Sequence, residues 1–263
     1  MTGKVFSTNQ LVTGGVPYLI HRGRTGCLLI HGFSSMPEEL DPLAGFLADQ
    51  GFTVYNARMA GHGSKPADLA RTRWTDWLIS VEEGLSVLSP LTERVFILGL
   101  SMGGVIALLS AARYPVAGVI SFSAPYGPAR WKERFFNAIL PVIRPYILKR
   151  KGLDQGPYGD RREPEYPAYA VFPSRIMREF TALQDAMRAE LPNIKAPALI
   201  IQSRDDHGIG DHSCTAILNA LGSSDKQAFW LEDAGHAIPR SPKGRPALVA
   251  AAEFIHRIST ETE

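Results

Sequence analysis

Along this chain, short continuous apolar runs alternate with longer stretches in which apolar residues return every three or four positions. The short runs read as strands covered on both faces, and the longer ones as helices with one buried stripe. Cys27-Leu28-Leu29-Ile30 is the first such run and closes at His31-Gly32. Pro37 to Gln50 follows as a helix: Pro37 suits its first turn, Glu38 and Glu39 favour its positive end, and Gly51 stops it. Leu40, Leu43 and Leu47 make the stripe. Phe52 to Tyr55 predicts a strand. Trp74, Trp77, Leu78, Val81, Leu85 and Leu88 then predict a helix, and Arg94 to Leu98 the next strand. Val105 to Arg113 is helical, and Val116 to Phe122 returns as a strand. Pro197 to Ile201 and Gln227 to Leu231 are the last strands, with helices over about Asp211 to Leu221 and Arg245 to Ile258. Strands and helices in this alternation make βαβ units and a mostly parallel sheet flanked by helices.

One segment breaks the rhythm. Between Ala124 and Asn193 no strong strand candidate occurs, while prolines, basic residues and aromatic-rich helical patterns do. The expected organisation is therefore a core of residues 1–124 and 194–263 with a mainly helical cap inserted over 125–193. Phe135, Phe136, Ile139, Leu140, Val142, Ile143, Tyr146, Ile147 and Leu148 are dense for an insertion. They divide between a small core for this lobe and the lining of an apolar pocket.

Composition narrows the partners. At 45% apolar residues the chain can bury a substantial core, and 28 basic against 26 acidic residues leave a formal charge of +2. That balance gives no reason to expect nucleic acid, whose binders carry a basic excess. Cys27 and Cys214 alone make neither a disulfide framework nor a metal site. Met1 to Gly15 is polar and no apolar run approaches the roughly 18 residues of a membrane span, so the expected setting is cytoplasmic.

The chemistry is carried by Gly99-Leu100-Ser101-Met102-Gly103-Gly104, placed between a strand and a helix. A serine there sits on a sharp turn, and glycines two before and two after it avoid clashes that any Cβ would create. The turn exposes the hydroxyl at the carboxyl edge of the sheet, beside a helix N-terminus that favours developing negative charge. A serine hydroxyl needs a base, and the base needs an orienting acid. On this kind of turn the acid and then the histidine follow the serine in the chain. His236, after Gly235 and just past the last strand, fits the base. The loop after Pro197 to Ile201 offers Asp205, Asp206 and Asp211. Asp206 stands at the usual distance beyond the strand and is preferred, with Asp205 as the alternative. The remaining histidines, His21, His31, His62, His207, His212 and His256, read as structural or solvent-exposed. The N–H groups of Met102 and of Phe33, in the turn His31-Gly32-Phe33, are the expected oxyanion donors, each worth about 3 kcal/mol of barrier.

His31-Gly32-Phe33, Gly61-His62-Gly63, Trp74 with Trp77, Gly99 to Gly104, Gln202-Ser203-Arg204-Asp205-Asp206 and Gly235-His236 together resemble bacterial carboxylesterases of the α/β-hydrolase fold. Within these, the chain is similar to the small thermostable carboxylesterase and monoacylglycerol lipase group of bacilli. The likeness spans nearly everything outside the cap. It implies ester hydrolysis through an acyl-enzyme on short to medium acyl chains or monoacylglycerols, with a cap over an apolar pocket. Carried over by position, Ser101, Asp206 and His236 form the triad, Phe33 and Met102 the oxyanion hole, and no cofactor or metal is called for. The cap departs from the pattern, as in Tyr166-Pro167-Ala168-Tyr169, which leaves the substrate open because selectivity resides largely in caps and loops. It also carries Arg130, Lys132, Arg134, Arg144, Lys149, Arg150 and Lys151 against Glu133. That stretch reads as a solvated face, with weak attraction to lipid surfaces or acidic substrates as the lesser alternative.

Other readings share the triad: thioesterases, acyltransferases, cofactor-free haloperoxidases and carbon–carbon bond hydrolases. Dehalogenases and epoxide hydrolases are disfavoured, since they carry aspartate where this chain has Ser101. A ligand receptor on a hydrolase scaffold would bind without steady-state turnover.

Overall fold

A computed structural model describes residues 11–127, 131–148, 166–210 and 212–260. In chain order its elements are β1 (Tyr18–Ile20), β2 (Thr25–Ile30), α1 (Asp41–Asp49), β3 (Thr53–Ala57), α2 (Pro66–Leu69), α3 (Trp74–Leu88), β4 (Arg94–Leu100) and α4 (Met102–Arg113). They continue with β5 (Gly118–Phe122), α5 (Trp131–Ile143), β6 (Tyr146–Leu148), β7 (Val171–Pro173), α6 (Ile176–Glu190), β8 (Ala198–Ser203), α7 (His212–Ala220), β9 (Lys226–Leu231) and α8 (Arg245–Thr260). Seven strands form one sheet in the order β1-β3-β2-β4-β5-β8-β9, parallel throughout except for β1 against β3.

The apolar runs are the central strands, and in the register Leu29 pairs with Leu98 and Ile120 with Leu199. Each sheet face carries its own core. Trp77, Val81, Val105, Leu109, Leu183 and Met187, from α3, α4 and α6, cover one face. Leu43, Leu47, Leu248 and Ile255, from α1 and α8, cover the other. The predicted helix from Trp74 to Leu88 forms, opened by Asp76 accepting the Arg73 N–H at 2.8 Å. The stretch expected as one helix from Pro37 to Gln50 instead begins as a 3₁₀ turn over Pro37–Leu40. Pro42 has no N–H to continue an α ladder, so the Glu38 carbonyl takes the N–H of Asp41.

The excursion between β5 and β8 is not free of strands as its sequence suggests. β6 and β7 pair antiparallel, with Ile147 opposite Phe172. Three-residue strands offer too few alternations to be read, and their pairing is non-local. α6 turns back onto the main body, burying Ile176, Leu183 and Met187 in the core beside α4. Asp211, Arg130, Lys149, Arg150 and Lys151 lie outside the described residues, and Lys132 and Arg134 fall on α5. Among the described residues, no helix is long and apolar enough to cross a membrane.

Candidate active site

The chain passes from β2 to β3 on one side and then crosses to β4 on the other, so the order of the sheet reverses between β2 and β4. At such a point the loops leaving neighbouring strands diverge and leave a crevice at the carboxyl edge. The loops after β2, β4, β8 and β9 carry the residues singled out above.

Ser101 stands between the last residue of β4 and the first of α4, at φ 56° and ψ −117°. This is a strained conformation for a residue with a Cβ. It is held by the Ser101 N–H donating to the Phe122 carbonyl at 2.8 Å and by the Val105 N–H donating to the Ser101 carbonyl at 3.1 Å. The flanking glycines are required by crowding. A Cβ on Gly99 would lie 2.0 Å from the Gly103 carbonyl oxygen, and one on Gly103 would lie 2.0 Å from that of Ile30. The second contact brings the start of α4 against the end of β2, where the turn containing Phe33 begins. Among the described residues, neither the Phe33 nor the Met102 N–H donates a hydrogen bond. Met102 is fully buried. The Phe33 ring meets Phe172 edge-on at 5.0 Å and stacks on Phe180 at 5.9 Å, so aromatic residues of β7 and α6 stand beside this turn.

The two neighbouring aspartates have different partners. Asp206, its side chain inaccessible, lies with Oδ2 2.7 Å from Nδ1 of His236, and its Oδ1 accepts the Gly208 N–H at 2.9 Å. Asp205 instead accepts the Gly235 N–H at 3.0 Å and the Ser203 hydroxyl. Burial pushes the Asp205 carboxyl up, but those two hydrogen bonds, with its own backbone N–H and the nearby His207, together outweigh it and hold it below the ordinary carboxylate range. The Ser203 hydroxyl also accepts the Ala234 N–H at 2.9 Å. Ser203 and Asp205 therefore pin the turn through Asp233 (φ 50°) and Gly235 (φ 63°) that presents His236, whose side chain is 39% exposed. The structure thus brings Asp206 and His236 together and gives Asp205 to the turn beside them.

Two histidines read as structural or exposed, His31 and His62, are completely buried around the turn after β2. Nε2 of His31 accepts the Met59 N–H at 3.1 Å, and Nε2 of His62 accepts the Ser34 N–H at 3.2 Å. Their Nδ1 atoms lie 3.0 Å from the Gly32 and Ala60 carbonyls, which makes each a neutral Nδ1–H tautomer. Burial lowers the pKa of both, His62 further because His31 adjoins it. Neither is available as a catalytic base. His21, His207, His212 and His256 are exposed.

A serine on a strained turn between a parallel strand and a helix, with an Asp–His pair on later loops of the same edge, defines the α/β-hydrolase superfamily of serine hydrolases. Residues 22–243 match the serine aminopeptidase S33 family, and the chain belongs to it. It is 31% identical to a thermostable monoacylglycerol lipase of Bacillus sp. (strain H-257) over 230 residues, 86% of this chain and 88% of that one. To a carboxylesterase of Bacillus subtilis (strain 168) it is 29% identical over 223 residues, 84% and 88% of the two chains. Among solved structures, one described under the metagenome-derived lipolytic enzymes LipS and LipT superposes with a TM-score of 0.83. That pair is 28% identical and covers 94% of this chain and all of the other.

Proposed function

We propose that this protein is a serine carboxylic ester hydrolase that works through an acyl-enzyme on short- to medium-chain esters or monoacylglycerols. The observation that carries the reading is the 2.7 Å contact of buried Asp206 with His236 on the sheet edge that also bears strained Ser101. In this reading Ser101 Oγ attacks the ester carbonyl carbon and His236 Nε2 takes its proton. Asp206 holds the imidazole with Nδ1–H toward itself and stabilises the imidazolium. The carbonyl oxygen, now negative, is received by the Phe33 and Met102 N–H groups. Collapse expels the alcohol, which takes the proton back from His236. Water, activated the same way, then releases the acid. Phe33, Phe172 and Phe180 offer an apolar wall for the acyl chain, consistent with residues 125–193 acting as a cap. The chemistry needs no cofactor or metal. Similarity to a monoacylglycerol lipase and a carboxylesterase favours an oxygen ester over the other substrates this triad serves.

The test is steady-state hydrolysis of p-nitrophenyl esters from acetate to palmitate, and of monoacylglycerols, by the parent and Ser101→Ala. Serine-dependent turnover with an optimum in acyl length is expected. Absence of turnover in a folded protein that still reacts with a fluorophosphonate would move the substrate elsewhere.

A weak lipid-surface contact through the cap extends this reading. Phe135, Val142 and Ile143 on α5 and Leu148 on β6 are all more than 60% exposed, an apolar set that would favour aggregated substrate. Sedimentation with vesicles containing anionic lipid tests it, and equal recovery with and without vesicles would remove it. The activity is assigned to the cytoplasm, in keeping with two buried cysteines and no disulfide framework. Cell fractionation tests that assignment.

A further inference from the structure

Glu39 has no part in the chemistry above, yet it is 3% exposed and both of its carboxylate oxygens accept hydrogen bonds. Oε2 accepts the Gly32 N–H at 2.5 Å, and Oε1 accepts the phenol of Tyr166. Gly32 immediately precedes Phe33. Tyr166 opens the Tyr166-Pro167-Ala168-Tyr169 segment, which is stitched onto the same turn. The Ser35 hydroxyl donates to the Pro167 carbonyl at 2.7 Å, and the Tyr169 N–H donates to the Ser34 carbonyl at 2.8 Å. The Tyr169 phenol donates to the Gly61 carbonyl at 2.9 Å and accepts the Ser64 N–H at 3.0 Å. From the sheet side, His62 takes the N–H of Ser34, a residue at φ 56°. The turn is therefore bonded at residues 32, 34 and 35, while the N–H of Phe33 between them donates no hydrogen bond among the described residues.

We infer that Glu39 is a positioning residue for the oxyanion hole: it fixes the peptide planes around Gly32 so that the Phe33 N–H is aimed at the developing oxyanion. Tyr166 fixes Glu39 in turn. This rests on the ester-hydrolase reading for the role of Phe33. The physical case is that donors held in place before the reaction need no reorganisation when charge develops. A carboxylate is a strong acceptor of a backbone N–H, and a buried one is costly unless its oxygens are satisfied. The pair of donors therefore locks the carboxylate, and the carboxylate locks the turn. Gly32 is suited to this approach, since a Cβ there would come within 3.1 Å of the Glu39 oxygen.

The test compares Glu39→Ala, Glu39→Gln and Tyr166→Phe with the parent enzyme. Glutamine can still accept the Gly32 N–H on its carbonyl oxygen and donate its NH₂ to the Tyr166 hydroxyl oxygen, so it keeps both contacts but exchanges charge-assisted bonds for weaker neutral ones. We expect kcat on p-nitrophenyl acetate to fall about 30-fold for Glu39→Ala and about threefold for each of Glu39→Gln and Tyr166→Phe, with KM nearly constant. These are fractions of what losing a whole oxyanion donor costs. Binding of a trifluoromethyl ketone, which forms a tetrahedral adduct with the serine, should weaken by the factor lost in kcat/KM, a match that general loosening would not produce. The rate of fluorophosphonate labelling at Ser101 should fall in step. Labelling needs no ester turnover, so a parent inactive on every ester would overturn the proposed function while still deciding the role of Glu39. Folded Glu39→Ala protein with labelling and kcat/KM within twofold of the parent would overturn the inference. So would losses confined to KM with ketone binding unmoved. If Glu39→Ala does not fold, Tyr166→Phe decides, because it leaves the carboxylate in place; an unchanged labelling rate overturns the proposal.

Discussion

The adjacent aspartates after β8 provide the sharpest test of the proposed mechanism, because they differ by one position and by the partners of their side chains. Asp206→Asn keeps the shape and the burial but replaces the oxygen 2.7 Å from Nδ1 of His236, at least in part, by an NH₂ donor. Facing a donor, the imidazole is driven to the tautomer with its proton on Nε2, where it cannot accept the Ser101 proton. The expected loss is about 10³- to 10⁴-fold in kcat, or about 4 to 5.5 kcal/mol of barrier at about 1.4 kcal/mol per tenfold. Asp205→Asn removes a charge from the Gly235 N–H and the Ser203 hydroxyl while its amide oxygen can still accept. That weakens the turn by about 1 kcal/mol of stability and should lower kcat less than tenfold. The assay is steady-state turnover of p-nitrophenyl butyrate alongside urea denaturation for both variants. Equal losses of kcat in the two, or Asp206→Asn activity within tenfold of the parent, would refute the division of roles.

Three further outcomes are expected. His31 and His62 are neutral in the fold with pKa values pushed below the ordinary 6.5, so the unfolded chain binds more protons below that pH and stability falls as pH drops. Each contributes a slope of up to about 1.4 kcal/mol per pH unit below roughly pH 6.5, and urea unfolding from pH 7 to 5 should show a shallower slope for His62→Gln; an unchanged slope would contradict the assignment. Gly103→Ala places a carbon 2.0 Å from the Ile30 carbonyl oxygen and should cost about 3 kcal/mol or more, so parental stability in urea would contradict the packing of α4 on β2. Phe172→Ala removes the ring 5.0 Å from Phe33 and should shift the acyl-length optimum among p-nitrophenyl esters, whereas an unchanged optimum would take the aromatic wall out of the acyl site.

The sequence by itself carried the sheet and the tight strand-to-helix turn at Ser101. Central parallel strands are buried on both faces, so Cys27 to Ile30 and Val95 to Leu98 had to be continuous apolar runs, and α3 had to show its stripe at helical spacing. The serine was legible because its turn tolerates only glycine at Gly99 and Gly103, a constraint that backbone crowding writes into the chain. What tertiary structure decided was pairing between segments far apart. Spacing beyond the strand favoured Asp206 and left Asp205 as the alternative, and it is the fold that turns Asp206 toward His236 and Asp205 toward Gly235. Glu39 read as a residue favouring a helix N-terminus, and His62 as structural or exposed. Their burial against Gly32, Tyr166 and Ser34 depends on loops up to 127 residues apart meeting at one sheet edge. The strands β1, β6 and β7 were missed for the same reason: three residues hold too little periodicity, and each is a strand only because of its partner across the sheet or ribbon. Local patterns record what a segment must bury; which segment lies against it is set by the closing of the whole chain.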